Sequence, residues 1–301
     1  MEGLGKKRKD REKSELGSKA KGRHQRRLLA QETVRILEDG MLQGQPIGNL
    51  VEGSVEGTLS YPEEATIPLP LKLDDKKITT RFSVVNTTTL DAAWCLAKNF
   101  PDEKVAVLNF ASAKNPGGGF LNGSMAQEES LANHSGLYAC LKGDKMYDHH
   151  HQMKGGIYTD WCIFSPDVPV FRRESNGSLI SAPWLMSVIS SPCLNRSAKK
   201  GVSAGAMATN ELKEAIRKRM MRFLSVLAAH HSVNLVLGAW GCGVFANDPL
   251  MIAILFADLL TRHPLFQNRW PNVVFAVLDS SREGSTISPF SQAFGGSSSL
   301  S

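Results

Sequence analysis

No apolar run in this chain approaches the roughly 18 residues needed to cross a bilayer. The longest candidate, 250–260, is interrupted by Asp258 and reads as a buried helix, so no membrane partner is expected. The N-terminus lacks the apolar core and small-residue cleavage site of a secretory signal. Cysteine is sparse: Cys95, Cys140, Cys162, Cys193 and Cys242 are odd in number and never spaced as CxxC. That speaks against a structural zinc site or a disulfide framework, and for reduced thiols in an intracellular setting, nuclear or cytoplasmic. There is no internal repeat, no GxxxxGK[ST] phosphate loop and no GxGxxG dinucleotide fingerprint. Transporters, disulfide-stapled scaffolds, P-loop enzymes and nicotinamide oxidoreductases are thereby set aside.

What is present is a globular composition: 301 residues, 42% hydrophobic and 21% charged. That is enough chain for one large domain or two ordinary ones. The charge is uneven. Residues 1–30 hold 11 Lys and Arg against 4 Asp and Glu, a net +7, while the whole chain is only +6. With few apolar residues before Gln25, residues 1–25 are expected to be a disordered basic leader. Lys6, Lys7, Arg8 and Lys9 fit a nuclear address or a weak contact to polyanions. A solvated tail with no specific partner is the plainer alternative. A Ser/Gly-rich tail over 286–301 is also expected to be disordered, leaving one folded, monomeric domain over 26–285.

Apolar periodicity predicts helices at Leu28–Met41, Leu90–Asn99, Ala126–Leu141, Glu211–His230 and Pro249–Arg262. Strands are expected at Arg81–Asn86, Val105–Phe110, Trp161–Ser165, Met186–Ser190, Val233–Leu237 and Val273–Leu278. Residues 42–79 read as a long connection with one strand at most, and 142–157 as a loop. The alternation indicates an α/β fold with a central sheet covered on both faces. Ligands of such folds sit at the carboxyl ends of the strands.

Two glycine-rich loops follow strands and should share that edge. The first, Asn115–Gly119, holds Gly117, Gly118 and Gly119 and is followed by Gln127, Glu128 and Glu129. Glycines permit close backbone approach to a ligand. Paired acids alone would be an ordinary acidic helix start; beside a triple-glycine loop they become candidates for chemistry. The second loop, Gly238–Gly243, can present backbone N–H groups of Gly241 and Gly243 to a diphosphate. Phe245 just beyond it could lie against a ribose or base, or be a core contact. Cys242 has no histidine near it in sequence and is not expected to be a nucleophile. His149, His150 and His151 with Asp148 invite a metal reading, but consecutive histidines diverge and no fourth ligand is evident. No metal and no cofactor is expected.

These residues carry a resemblance. GGG-x7-QEE within VLNFASAKNPGGGFLNGSMAQEESL resembles the signature of poly(ADP-ribose) glycohydrolases, most closely their microbial-type branch. LVLGAWGCGVFANDP is similar to that branch's diphosphate loop, and SPDVPVFR, ISSPCLN, RLLAQETVRIL and VNTTTLDAA fit as well, so the likeness spans about 26–280. It implies a macrodomain-like mixed sheet flanked by helices on both faces, with an N-terminal helical extension. It implies hydrolysis of the ribose–ribose O-glycosidic bond of poly(ADP-ribose) from chain ends, with the polymer and ADP-ribosylated proteins as partners. Glu129 then matches the catalytic glutamate, Glu128 the acid that holds the ribose hydroxyls, and Gln127 a positioning residue. Gly117–Gly119 match the catalytic loop, Gly241, Cys242, Gly243 and Val244 the diphosphate loop, and Phe245 the aromatic that orders the terminal ribose. Asn133 departs from the pattern, since a basic residue commonly stands there.

Glycoside cleavage passes through an oxocarbenium-like state, and most glycosidases flank the bond with two carboxyl groups. Adjacent helical residues splay by about 100°, so Glu128 and Glu129 are not expected to flank it. One carboxyl serving as acid and then base fits better. Glu129 must then start protonated, through burial, Glu128 or the substrate's diphosphate. Two other readings use the same pocket: a module that binds ADP-ribose without cleaving it, and a hydrolase of mono-ADP-ribosylated targets.

Overall fold

A computed structural model describes residues 2–68, 78–198, 207–230 and 232–295, with residues 2–20 as backbone only. Seven strands form one mixed sheet: β3 (Leu59–Tyr61), β6 (Cys162–Arg172), β7 (Leu179–Ser191), β5 (Val105–Phe110), β8 (Asn234–Leu237), β9 (Asn272–Ala276) and β4 (Arg81–Val85), in that spatial order. The pairs from β7 to β4 are parallel, whereas β6 runs antiparallel to both β3 and β7. A two-stranded ribbon, β1 (Met41–Leu42) and β2 (Gln45–Pro46), lies apart.

β5 shows why the sheet is covered on both faces. Its side chains alternate: Ala106 and Leu108 enter one core, Val105 and Val107 the other. The first core is closed by α7 (Thr209–Ala229), α8 (Pro249–Arg262) and α9 (Ser288–Phe294). The second is closed by α3 (Thr89–Asn99), α4 (Gln127–His134), α5 (Leu137–Leu141) and α6 (Lys145–Gln152). The mixed sheet between two helical layers is the architecture expected from the sequence. No helix among the described residues is long and apolar enough to cross a membrane.

Several elements differ from expectation. The backbone of α1 is helical over Glu2–Asp39, so the stretch 2–25 expected as a disordered leader continues the predicted Leu28–Met41 helix. It contains no proline and is rich in Lys, Arg and Glu, good helix formers that outweigh its four glycines. From Arg23 on, its side chains also bond to the body of the protein. Gly40, at φ +62°, ends it. The connection 42–79 contains α2 (Gly48–Glu56) as well as β3, and residues 69–77 of it lie outside the described ones. The predicted Ala126–Leu141 helix is two helices broken at Ser135–Gly136, where Ser135 bridges to Val170 of β6. The expected loop 142–157 contains α6, capped by Asp144.

The tail is also corrected. Residues 288–294 form α9 rather than a disordered segment, because Phe290 and Phe294, one turn apart, both pack on Phe275 of β9, at centroid distances of 5.4 and 4.2 Å. Residues 296–301 lie outside the described ones. Phe290 is fully buried, so Phe290→Ala is expected to cost about 3–5 kcal/mol. A lowered urea midpoint would register this; an unchanged midpoint would mean that α9 does not dock.

Candidate active site

The carboxyl ends of β4, β5, β7, β8 and β9 open into one cavity of about 660 Å³. Residues from both glycine-rich loops line it, together with Gln127, Glu128 and Glu129. It is therefore where a parallel sheet places its ligand, within the size range of small-ligand sites.

The acidic side is organised by the end of β5. Asn109, fully buried in an otherwise apolar run, donates from Nδ2 to Ser190 Oγ on β7 (2.9 Å) and to Glu128 Oε1 (3.3 Å). Ser112 N donates to Glu128 Oε2 at 2.7 Å. Glu128 is 3% exposed. Burial pushes its carboxyl up to about 8, against the opposing bonds from Ser112 and Asn109, and the neighbouring Glu129 raises it further. The protonated form thus dominates at neutral pH.

Gln127 does not reach for a ligand. Its Oε1 accepts from Phe110 N (2.9 Å), and its Nε2 donates to Leu108 O (2.7 Å) and Thr89 Oγ1 (3.2 Å). It fastens the start of α4 to the end of β5 and the start of α3.

Glu129 accepts from Gly119 N through Oε1 at 2.9 Å. The first glycine loop wraps these carboxyl groups so tightly that side chains are excluded. A Cβ on Gly118 would lie 2.4 Å from Glu129 Oε1 and 3.0 Å from Glu128 Oε2, and its φ is +64°. Both acids therefore turn to the same glycine, although their Cα–Cβ bonds diverge. They sit on one wall of the cavity and do not face each other across it. Gly117 is excluded from having a side chain by Phe120, and Gly119 by Ser124.

The opposite wall is the second glycine loop. A Cβ on Gly241, at φ +74°, would lie 2.5 Å from Cys193 Sγ and 2.7 Å from Asn247 Nδ2. Asn247 is buried and ties the loop down, donating from Nδ2 to Gly241 O (3.1 Å) and Leu194 O (2.8 Å). Ser197 Oγ and Arg196 N hold the carbonyls of Val244 and Phe245 at 2.9 and 3.0 Å. The N–H groups of Gly243, Val244 and Phe245 meet no backbone acceptor among the described residues, and all three residues line the cavity. Free amides in a run are one means by which a loop meets an anion without a cation. Phe245 packs on the core, the plainer of the two roles considered for it, and also lines the cavity. Burial raises the Cys242 thiol, which keeps it protonated and inert.

Three sequence features take structural places. His150 is buried between Ala113 O (3.2 Å) and Thr159 Oγ1 (2.8 Å); burial lowers it to about 4, so it is a neutral brace behind the first loop. Asn133 does not line the cavity: its Nδ2 donates to Glu129 O (2.8 Å), and its own carbonyl accepts from Thr33 Oγ1 of α1 (2.7 Å). Asn133 thus lies on the rear of α4. Asp248 caps α8 through Leu250 N.

Sequence reasoning missed Asn109, Ser112 and Asn247, which hold the site together. Asn109 had a signal, a lone amide in an apolar strand. It also missed the far end of the cavity, lined by Thr87, Phe110, Val277, Leu278 and Thr286.

Residues 30–173 match the family model "Microbial-type PARG, catalytic domain". A comparison with curated proteins found no match. Among solved structures, the poly(ADP-ribose) glycohydrolase of Thermomonospora curvata is 40% identical, with a TM-score of 0.83 over 90% of this chain and 100% of that one. The same enzyme bound to the inhibitor ADP-HPD gives 40% identity and 0.80 over the same shares. The poly(ADP-ribose) glycohydrolase of Deinococcus radiodurans in complex with ADP-ribose gives 33% identity and 0.67 over 84% and 98%. The chain belongs to the microbial-type poly(ADP-ribose) glycohydrolase family.

Proposed function

We propose that this protein hydrolyses the ribose–ribose O-glycosidic bond of poly(ADP-ribose) and releases ADP-ribose from chain ends. The observation that carries the reading is the convergence of Glu128 and Glu129 on Gly118, opposite a loop of unoccupied amides, within a cavity of about 660 Å³. A volume of that order encloses one ADP-ribose unit. The relatives' complexes with ADP-HPD and ADP-ribose support it. A bare reader would need the amide loop but not a second acid beside Glu128.

The diphosphate lies on the N–H groups of Gly243, Val244 and Phe245, and the adenine occupies the end lined by Phe110, Val277 and Leu278. Phe245 closes on the terminal ribose. Glu128 accepts that ribose's hydroxyls, as its two oxygens are already steered by Asn109 and Ser112. Glu129, aimed by Gly119 N, gives its proton to the leaving oxygen and then takes one from the attacking water. The diphosphate is the negative charge that faces the oxocarbenium ion as it forms. Basic residues at the N-terminus add a weak, salt-sensitive contact to the polymer.

Glu129→Gln is expected to slow release from labelled polymer by about 10²–10⁴-fold while leaving ADP-ribose affinity within a few-fold by calorimetry. Wild-type binding without release would instead establish the reader. Release from mono-ADP-ribosylated protein but not from polymer would establish the other hydrolase.

Glu128 supplies a pH dependence. Its carboxyl holds a proton up to about 8 in the free protein, whereas the ionised form is the stronger acceptor for ribose hydroxyls. ADP-ribose affinity should therefore rise with pH below about 8 and flatten above it, and Glu128→Gln should abolish the slope. Stability runs the other way. The folded-state value is raised, so the favourable contribution is complete below the unfolded value near 4.5 and is lost as pH rises to about 8. Thermal melts of wild type and Glu128→Gln between pH 5 and pH 8 should separate accordingly.

Gly118→Ala places a methyl group on both carboxyl groups and forces a positive φ on an L-residue. A strain of about 1–3 kcal/mol is expected, with activity lost while the cooperative melt persists. Retained activity would show that the loop yields.

A further inference from the structure

The helix α1 is built into the back of the catalytic loop. Arg23 Nε donates to Asn122 O, and Arg26 Nε to Gly123 O, both at 2.9 Å. Gly123, at φ +72°, has no room for a side chain because Arg23 O and Arg27 Cγ would lie 2.4 and 3.0 Å from its Cβ. The loop that receives these contacts is the one that aims the catalytic acid: Gly119 gives its N–H to Glu129 and accepts from Asn122 N (3.0 Å) and Ser124 N (3.1 Å). Three residues of a 3-10 turn span about 6 Å, so these guanidinium groups lie beside the reacting end of the cavity, not at its adenine end.

Among the described residues no acid takes up their charge. Arg23 and Arg27 are exposed, Arg26 is half-buried, and none of the three meets a carboxylate among the described residues. Lys21 is exposed on the same helix. Each anchored arginine spends only its Nε–H on the loop, which leaves the other guanidinium donors in a fixed position.

We propose that Arg23, Arg26 and Arg27 form a ledge for the diphosphate of the second ADP-ribose unit, the one left behind when the terminal unit is released. This rests on the glycohydrolase reading above. The substrate's chemistry fits: the leaving oxygen is a hydroxyl of the second unit's adenosine ribose, and the 5′ carbon of that same sugar carries the next diphosphate. A doubly charged group thus emerges one sugar away from the scissile bond. Paired guanidinium groups suit it by charge and by forked donor geometry. The ledge favours polymer over a single ADP-ribose on protein, which offers no second diphosphate.

Arg27 makes no hydrogen bond to the loop, so Arg27→Glu and Lys21→Glu/Arg27→Glu test the ledge without removing its anchors. The expected result is a KM for long polymer raised about tenfold or more, with kcat within twofold and the affinity for free ADP-ribose unmoved. The fall of kcat/KM with salt should also become shallower, as when phosphate contacts are lost. Arg27→Lys should restore most of the KM. An unchanged KM for polymer would overturn the proposal, as would an equal loss of ADP-ribose affinity, which would indicate a damaged loop. A loss of duplex-DNA binding with polymer KM intact would assign the face to nucleic acid instead. If wild-type protein releases nothing from polymer, it is the glycohydrolase reading that fails.

Discussion

A carboxyl group in the interior must find donors or keep its proton, and much of this site follows from meeting that condition at Glu128. Two of its donors, Asn109 Nδ2 and Ser112 N, come from the end of β5. The helix carrying Glu128 must therefore stay in register with that strand. Gln127 enforces the register by bonding three groups on β5 and α3. Once α4 is fixed, Glu129 falls beside Gly119 N, and the loop between must pass under both acids without a side chain at Gly118. The triple glycine is thus a steric consequence of placing two carboxyl groups on one short helix start.

The rear of α4 meets a second support. Thr33 of α1 holds the carbonyl of Asn133, while Asn133 holds the carbonyl of Glu129. Ala30 of α1 packs with Phe120 of the loop and Ala132 of α4. Glu32 pairs with the buried Arg172 on β6 at 3.1 Å, and Glu174, just beyond Arg172, accepts from Ser130, the residue after Glu129. Helix, hairpin and catalytic loop are therefore one unit. Its stiffness matters because general acid catalysis depends on holding the donor oxygen within hydrogen-bond reach of the leaving atom.

Much of this was legible in the sequence, and the exceptions have physical causes. Alternation in Val105–Phe110 and the amphipathic pattern of Glu211–His230 reveal buried elements because burial on one side or both imposes a period. The glycine loops were legible because close approach and positive φ leave few other residues. Local pattern does not report long-range partners. The helix at 2–25 has no apolar face to announce it, and its fixed part depends on carbonyls almost 100 residues away, at Asn122 and Gly123. The docking of Phe290 and Phe294 depends on Phe275 of another element. The break in the helix after His134 depends on pairing between Ser135 and Val170. Within the site, adjacency of Glu128 and Glu129 implied splayed side chains, and only the fold shows that both bend to one glycine.

The two walls of the cavity use different means to handle negative charge. The wall proposed for the diphosphate offers amides of Gly243, Val244 and Phe245 and, among the described residues, no arginine or lysine. The acidic wall keeps a carboxyl protonated by burial. A lysine or arginine inside the cavity would neutralise the diphosphate, but it would also pair with Glu128 and Glu129. Pairing favours the ionised carboxylate, and a carboxylate has no proton to donate. On the proposed reading, dipoles from backbone N–H groups would hold the phosphates without supplying a full charge that the acids could capture. Full cationic charge is instead placed outside, on α1 at Arg23, Arg26 and Arg27, separated from the acids by the backbone of the catalytic loop. This division lets one small site attract a polyanion and still operate a carboxylic acid.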